Sequence, residues 1–266
     1  MNVKIKGKNI NIRTGGYDHK DKDRVIMLIH GAGMNGSVWQ LQNRYLSSRG
    51  IRTLAIDLPG HGYSDLPALK TIEKMGDWCL NLLYFLKIKS ALIVGHSMGS
   101  LIAIEMANKE KKIINGLSLL GTSHIMAVHP DLINESTSNI INASELMTDW
   151  SLSKKQHIGY NPTPGYWMIG SSSRLIQNSP KGSLALDLDA CNNYKGASII
   201  AKNIVQKVQI ICGKEDKMTS TKNAMILSEN FENVTLKILD NTGHMIMVEQ
   251  PFIIAKELYQ LSKNCL

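Results

Sequence analysis

Cysteine is sparse in this chain, and its four copies, Cys79, Cys191, Cys212 and Cys265, lie far apart. None belongs to a Cys-x-x-Cys pair or to a His/Cys cluster with zinc-ligand spacing, which excludes the common redox and zinc motifs. This usage suits a reducing compartment, and Cys79 and Cys212, set among apolar residues, read as small buried hydrophobes. Long apolar runs are missing too: no stretch approaches the roughly 20 residues needed to span a bilayer. The opening "MNVKIKGKNINIRTGG" alternates polar and apolar residues and lacks the apolar block of a signal peptide. A cytoplasmic chain without stable membrane insertion is the expectation. Concentrated charge is also absent. Thirty Lys and Arg against 22 Asp and Glu leave a net charge of +8, but the lysines are scattered through "HKDKDR", "KEKK", "LSKK" and "YKGA". Without regularly interleaved aromatics, that pattern favours solubility over nucleic-acid binding. No internal repeat or low-complexity segment breaks the chain.

What is present is a globular composition, 43% hydrophobic and 20% charged over 266 residues, enough to bury a large core. "VKIKGKNINIR" has the period of two of paired strands around a Gly-Lys-Asn turn. "RVIMLIHG" (24–31) is a continuous apolar run, as expected of a strand buried on both faces. In "SVWQLQNRYLSSRG" the spacing of Val38, Leu41, Tyr45 and Leu46 predicts a helix, with Ser37 as N-cap and Gly50 as stop. "RTLAIDLPG" follows as a strand. Residues 71–88 read as a helix with Leu82, Leu83, Phe85 and Leu86 on its apolar side. Then come strand "SALIVG", helix "GSLIAIEMANKE" and strand "INGLSLLG" (114–121). Strands alternating with helices predict a mostly parallel, twisted α/β sheet with helices on both faces.

The rhythm stops between about 124 and 203. Helical patterns at 170–178 and 182–192 predict a helical cap inserted between a first core part (1–123) and a second (204–266). The alternation resumes with "VQIICG" (208–213), a helix near 219–229, "VTLKILDNTGH" (234–244) and a helix from Pro251, which suits a first-turn position.

One pentapeptide stands out: Gly-His-Ser-Met-Gly at 95–99, directly behind the apolar run "SALIV". A Gly-x-Ser-x-Gly between strand and helix is a sharp turn that pushes the serine into a strained backbone conformation and projects its hydroxyl at the sheet's carboxyl edge, beside a helix N-terminus. Further turn motifs follow other strands: "HGAG" (30–33), "DLPGHGYSD" (57–65), "GKED" (213–216) and "GH" (243–244).

With these motifs in this order, the chain resembles the α/β-hydrolase family over essentially its whole length, and "HGAG" with "GHSMG" is similar to its monoglyceride-lipase and carboxylesterase branches. The resemblance implies Ser97 as nucleophile, His244 as general base and Asp216 as the carboxylate orienting it, with the backbone N–H groups of Ala32 and Met98 as oxyanion hole. Asp240 and Glu215 are rivals to Asp216; Asp240 is nearer His244 in sequence but suits a turn cap. His30, His61 and His96 flank glycine turns and read as backbone braces. His124, His129 and His157 read as surface or packing residues that an insertion would also place near a pocket. Met98, Met245, Trp150, Tyr166 and Trp167 are candidates to touch substrate, with Trp150, Trp167 and Met245 taken as pocket residues; Trp39 would pack behind the oxyanion loop. Ser100 stands where many family members have a second glycine. A serine nucleophile argues against haloalkane dehalogenase and epoxide hydrolase.

The expected activity is a cofactor-free, metal-free serine hydrolase of carboxylic esters. Its partner would be a small-molecule ester, with small to medium acyl chains or a monoacylglycerol-like lipid. The same residues would serve a thioesterase, an amidase, or a C–C hydrolase or lyase. They would also serve a hydrolase-fold ligand receptor that turns over slowly. Oligomeric state has no signature in the sequence.

Overall fold

A computed structural model describes residues 1–16 and 24–266; most of the basic stretch "HKDKDR" lies outside them. Among the described residues, eight strands form one sheet in the order β1-β2-β4-β3-β5-β6-β7-β8. They are β1 (Asn2–Ile5), β2 (Lys8–Arg13), β3 (Arg24–Ile29), β4 (Thr53–Ile56), β5 (Ser90–His96), β6 (Ile114–Leu120), β7 (Lys207–Gly213) and β8 (Val234–Leu239). Among the described pairings, β1–β2 and β2–β4 alone are antiparallel. All others are parallel. The first hairpin turns at Lys6–Gly7, both at positive φ, slightly ahead of the predicted Gly-Lys-Asn.

The apolar runs are continuous because the strands have two dry faces. In β3, Val25, Met27 and Ile29 join one core while Ile26 and Leu28 join the other, and Ile93 and Val94 divide likewise in β5. Helices α2 (Ile72–Phe85) and α3 (Met98–Lys109) cover the first face, and α1 (Gln40–Ser47) and α12 (Pro251–Cys265) the second.

Six helices lie between β6 and β7: α4 (Pro130–Ser138), α5 (Ile140–Ser151), α6 (Lys154–His157), α7 (Met168–Gln177), α8 (Ser183–Asn193) and α9 (Ala197–Ala201). Beyond β7 come α10 (Thr221–Ser228) and, after β8, the short α11 (Ile246–Glu249). Helices α4, α5, α7 and α8 line the cavity that holds Ser97 and His244, whereas α9 packs against α3 and α10 of the core. Among the described residues no helix is long and apolar enough to cross a membrane.

Two local expectations are corrected. Ser37 is not a cap: Asn35 accepts the Ser37 N–H and starts a 3₁₀ turn (Gly36–Trp39) that leads into α1. Phe85 is not on the packed side of α2 but is 51% exposed, because the last turn rotates it out of the face that carries Leu82 and Leu83. All four cysteines are buried and unbridged.

Candidate active site

Strand order reverses at β3, whose neighbours are β4 on one side and β5 on the other; such a switch point opens a crevice at the strands' carboxyl ends. Ser97 sits there, between β5 and α3, with φ +52° and ψ −118°. A non-glycine residue at such a φ stores about 1–3 kcal/mol and persists only where its surroundings over-determine it. Here the Ser97 N–H donates to the Leu120 carbonyl (2.9 Å), and the Ser97 carbonyl accepts the Ser100 N–H (2.8 Å). A Cβ on Gly95 would lie 2.1 Å from the Gly99 carbonyl oxygen, and one on Gly99 would lie 2.4 Å from that of Ile29. The framing glycines are therefore needed for close approach of backbones. Ser100, where a glycine is common, adds its hydroxyl 2.6 Å from the Ser97 carbonyl and 2.8 Å from Thr122 Oγ1.

His244 follows β8 and Asp216 follows β7, and the two meet: His244 Nδ1 is 2.8 Å from Asp216 Oδ2. The rivals are elsewhere. Asp240 is exposed and paired with Lys214 at 2.8 Å, while Glu215 accepts the Lys154 N–H. Asp216 Oδ1 accepts the N–H groups of Met218 (2.8 Å) and Thr219 (2.7 Å), and Oδ2 accepts the Thr219 hydroxyl (2.7 Å). Burial pushes this carboxyl up, but the facing His244 ring and the Thr219 donors outweigh it and hold the pKa below the usual carboxylate range. With Oδ2 as an acceptor only, the proton of neutral His244 belongs on Nδ1, which leaves Nε2 free to act as a base. Thr219 carries no motif of its own; its place three residues after Asp216, where a hydroxyl closes a turn, is the signal that would have found it.

The Met98 N–H belongs to the first residue of α3 and so has no carbonyl one turn back. Ala32 borders the same cavity as Ser97 and His244. The next amide, Gly33 N–H, is engaged: it donates to Asp187 Oδ2 of α8 at 2.8 Å. The three histidines beside the glycine turns do hold backbone. His30 Nδ1–H donates to the Gly31 carbonyl (2.8 Å) while Nε2 accepts the Leu58 N–H (3.2 Å). His96 Nε2–H donates to the His244 carbonyl (3.0 Å). Both rings are fully buried and neutral: burial, then the neighbouring His61, lowers His30 to about 4, and burial, then His244, lowers His96 to about 3.

A family profile described as "alpha/beta hydrolase fold" matches residues 24–251. The chain belongs to the α/β-hydrolase family. A pimeloyl-[acyl-carrier protein] methyl ester esterase of Nitrosospira multiformis is 26% identical over 242 residues, covering 85% of this chain and 89% of that one. An (E)-2-((N-methylformamido)methylene)succinate hydrolase of Acinetobacter baylyi is 31% identical over 111 residues, but that match spans only 41% of this chain and 42% of the relative. Among solved structures, the enol-lactonase from Burkholderia xenovorans LB400 superposes with a TM-score of 0.86 at 21% identity, covering 98% of each chain. At that identity the likeness is one of fold.

The main cavity of this α/β-hydrolase measures about 540 Å³, within the range of small-molecule sites. Ser97 and His244 lie on its core side, and Met126, Leu132, Met147, Trp150 and Ile176 line it from the cap. Of the expected pocket residues, Trp150 and Met245 border it. Trp167 does not: it is 74% exposed, packs over Gly170, and with Tyr166 borders a separate hollow of about 250 Å³. It precedes α7, where the chain has no strand or helix to turn the ring inward. Met98 is wholly buried beneath the elbow, so it contributes backbone only. His129 borders the cavity and packs edge-on against Trp150. Lys217 puts a cation on a lining otherwise dominated by apolar side chains. No group of three or more His, Cys, Asp or Glu among the described residues is arranged to hold a metal.

Proposed function

We propose that this α/β-hydrolase is a serine hydrolase of carboxylic esters that works through an acyl-enzyme. The observation that carries the reading is that a strained Ser97 at positive φ and His244 line one apolar cavity, with Asp216 behind His244 at 2.8 Å from its Nδ1. His244 Nε2 takes the Ser97 proton as Oγ attacks the ester carbonyl, and Asp216 stabilises the resulting imidazolium. The N–H groups of Ala32 and Met98 receive the oxyanion, each contributing about 2.7–4 kcal/mol in comparable sites. The imidazolium protonates the departing alcohol. Water, deprotonated by His244, then releases the acid.

The apolar lining suits an unbranched acyl chain of small to medium length, and monoacylglycerol-like esters fall within that class. The pimeloyl methyl ester esterase relative supports an ester leaving group. The test is a chain-length series of nitrophenyl esters with wild type and Ser97→Ala, following burst and steady turnover. Turnover with a length optimum, abolished in the variant, is expected. Ester hydrolysis that survives Ser97→Ala would overturn the mechanism, and a stoichiometric burst without turnover would make the protein a receptor.

A further inference from the structure

Asp187 is a fully buried carboxylate on the cap helix α8. Its Oδ2 accepts the Gly33 N–H at 2.8 Å and lies 2.8 Å from His61 Nε2. His61 Nδ1 in turn faces the Pro59 carbonyl at 3.1 Å. Both ring nitrogens of His61 therefore face acceptors, so both carry protons and the ring is an imidazolium. Burial alone would lower its pKa, but Asp187, the Pro59 carbonyl and Asp57 raise it instead. The result is a buried ion pair between core and cap, a costly arrangement that a fold keeps only with good geometry and added hydrogen bonds.

Its position gives it a task. Two peptide groups flank the α-carbon of Ala32. The carbonyl of the first, Gly31–Ala32, accepts from His30 Nδ1–H at 2.8 Å, and its N–H is the Ala32 donor. The N–H of the second, Ala32–Gly33, is the one held by Asp187. Both peptide planes are thus pinned, one by a core histidine and one by a cap carboxylate. The His30 and His61 rings sit 5.0 Å apart, so the His61 charge helps keep His30 neutral, with Nδ1–H donating and Nε2 accepting. Gly33 has φ +65° and lies beneath Leu184 of α8, whose Cδ1 would be 2.7 Å from a Cβ there. A side chain at position 33 would therefore run into the cap helix, so the loop needs glycine there.

We propose that Asp187 is a positioning residue: the cap carboxylate, with His61 as charge partner, holds the Gly33 N–H and so keeps the adjacent Ala32 N–H aimed at the oxyanion. This rests on the ester chemistry proposed for Ser97. It makes the oxyanion hole a joint product of core and cap.

The test compares wild type, Asp187→Asn, His61→Gln and the exposed control Asp189→Asn. Measured are kcat and KM on a nitrophenyl ester, together with affinity for a trifluoromethyl ketone, which forms an oxyanion on Ser97, and for its non-fluorinated analogue, which does not. Asp187→Asn is expected to lower kcat about 10- to 100-fold, short of the roughly 10²–10³ for outright loss of a donor. KM stays within about twofold. Affinity for the fluorinated ketone falls by the same factor as kcat, and affinity for the plain ketone does not move. His61→Gln shifts the same quantities the same way, and Asp189→Asn changes none.

A variant that melts earlier yet keeps wild-type kcat and fluoroketone affinity would reduce Asp187 to a cap anchor and overturn the proposal. So would a raised KM at unchanged kcat. If Asp187→Asn does not fold, His61→Gln decides by the same readouts. If wild type hydrolyses no ester, the proposed function fails separately, and the ratio of the two ketone affinities still decides the role of Asp187.

Discussion

Replacing Asp216 with asparagine tests it against its two rivals in the sequence, Asp240 and Glu215. Asp216 Oδ1 accepts the Met218 and Thr219 N–H groups at 2.8 and 2.7 Å, so the amide oxygen of asparagine keeps that side. Its NH₂ then occupies the Oδ2 position, 2.8 Å from His244 Nδ1 and 2.7 Å from Thr219 Oγ1. Facing a donor, Nδ1 must accept, and the imidazole proton moves to Nε2. A base carrying its proton on that nitrogen cannot take one from Ser97. The equivalent exchange in a Ser-His-Asp protease lowers kcat about 10⁴-fold, or about 5 kcal/mol of transition-state stabilisation. Steady-state kinetics on the best nitrophenyl ester measures it, with Asp240→Asn and Glu215→Gln expected to stay near wild type. Retention of more than about a tenth of kcat in Asp216→Asn, or a collapse in either control, would refute the assignment. The same carboxyl sets an acid limit on stability. Its folded-state pKa lies below the usual carboxylate value, so its stabilisation is complete above the unfolded-state pKa and is lost as pH falls through the folded-state one. Thermal unfolding of Asp216→Asn should therefore depend less on pH in that acid window than wild type does.

Gly99→Ala would set a methyl 2.4 Å from the Ile29 carbonyl oxygen and 2.8 Å from that of His30. Neither neighbour can rotate away, so a loss of about 3 kcal/mol or more, at the upper end for overpacking, is expected in urea unfolding; an unchanged midpoint would contradict the close packing. Trp150→Ala should open the cavity and move the ester chain-length optimum upward, whereas Trp167→Ala should leave the profile unchanged; the reverse pattern would relocate the acyl site.

Much of this architecture was legible because it is local. A strand buried on both faces is a continuous apolar run, and β3, β5, β6 and β7 lie where those runs predict. Each turn motif follows a strand, so Ser97, Asp216 and His244 were candidates before their proximity was visible. The cap was harder to read. Trp167 and Trp150 are the same residue type in the same insertion, yet one faces solvent and the other the cavity; Trp150 sits inside α5 and Trp167 just ahead of α7, a difference no period marks. Asp187 was invisible because its partners, His61 and Gly33, lie 126 and 154 positions away. Ser37 lost the capping role to Asn35 because the chain enters α1 through a 3₁₀ turn, a local choice that both side chains would satisfy.

The Ser151 carbonyl at the end of α5 accepts the N–H of His244 (2.6 Å) and of Met245 (3.2 Å). Close by, the buried Glu249 carboxylate joins the Gly243 N–H to the Ser153 N–H, each at 3.0 Å. The roof of the cavity is thus tied directly to the segment that carries the base. A cover that lifted at the α5 end would have to break these bonds and displace His244. The α5 end of the roof and the loop of His244 are therefore one structural unit, so a substitution that shifts this end of the cap also shifts the imidazole.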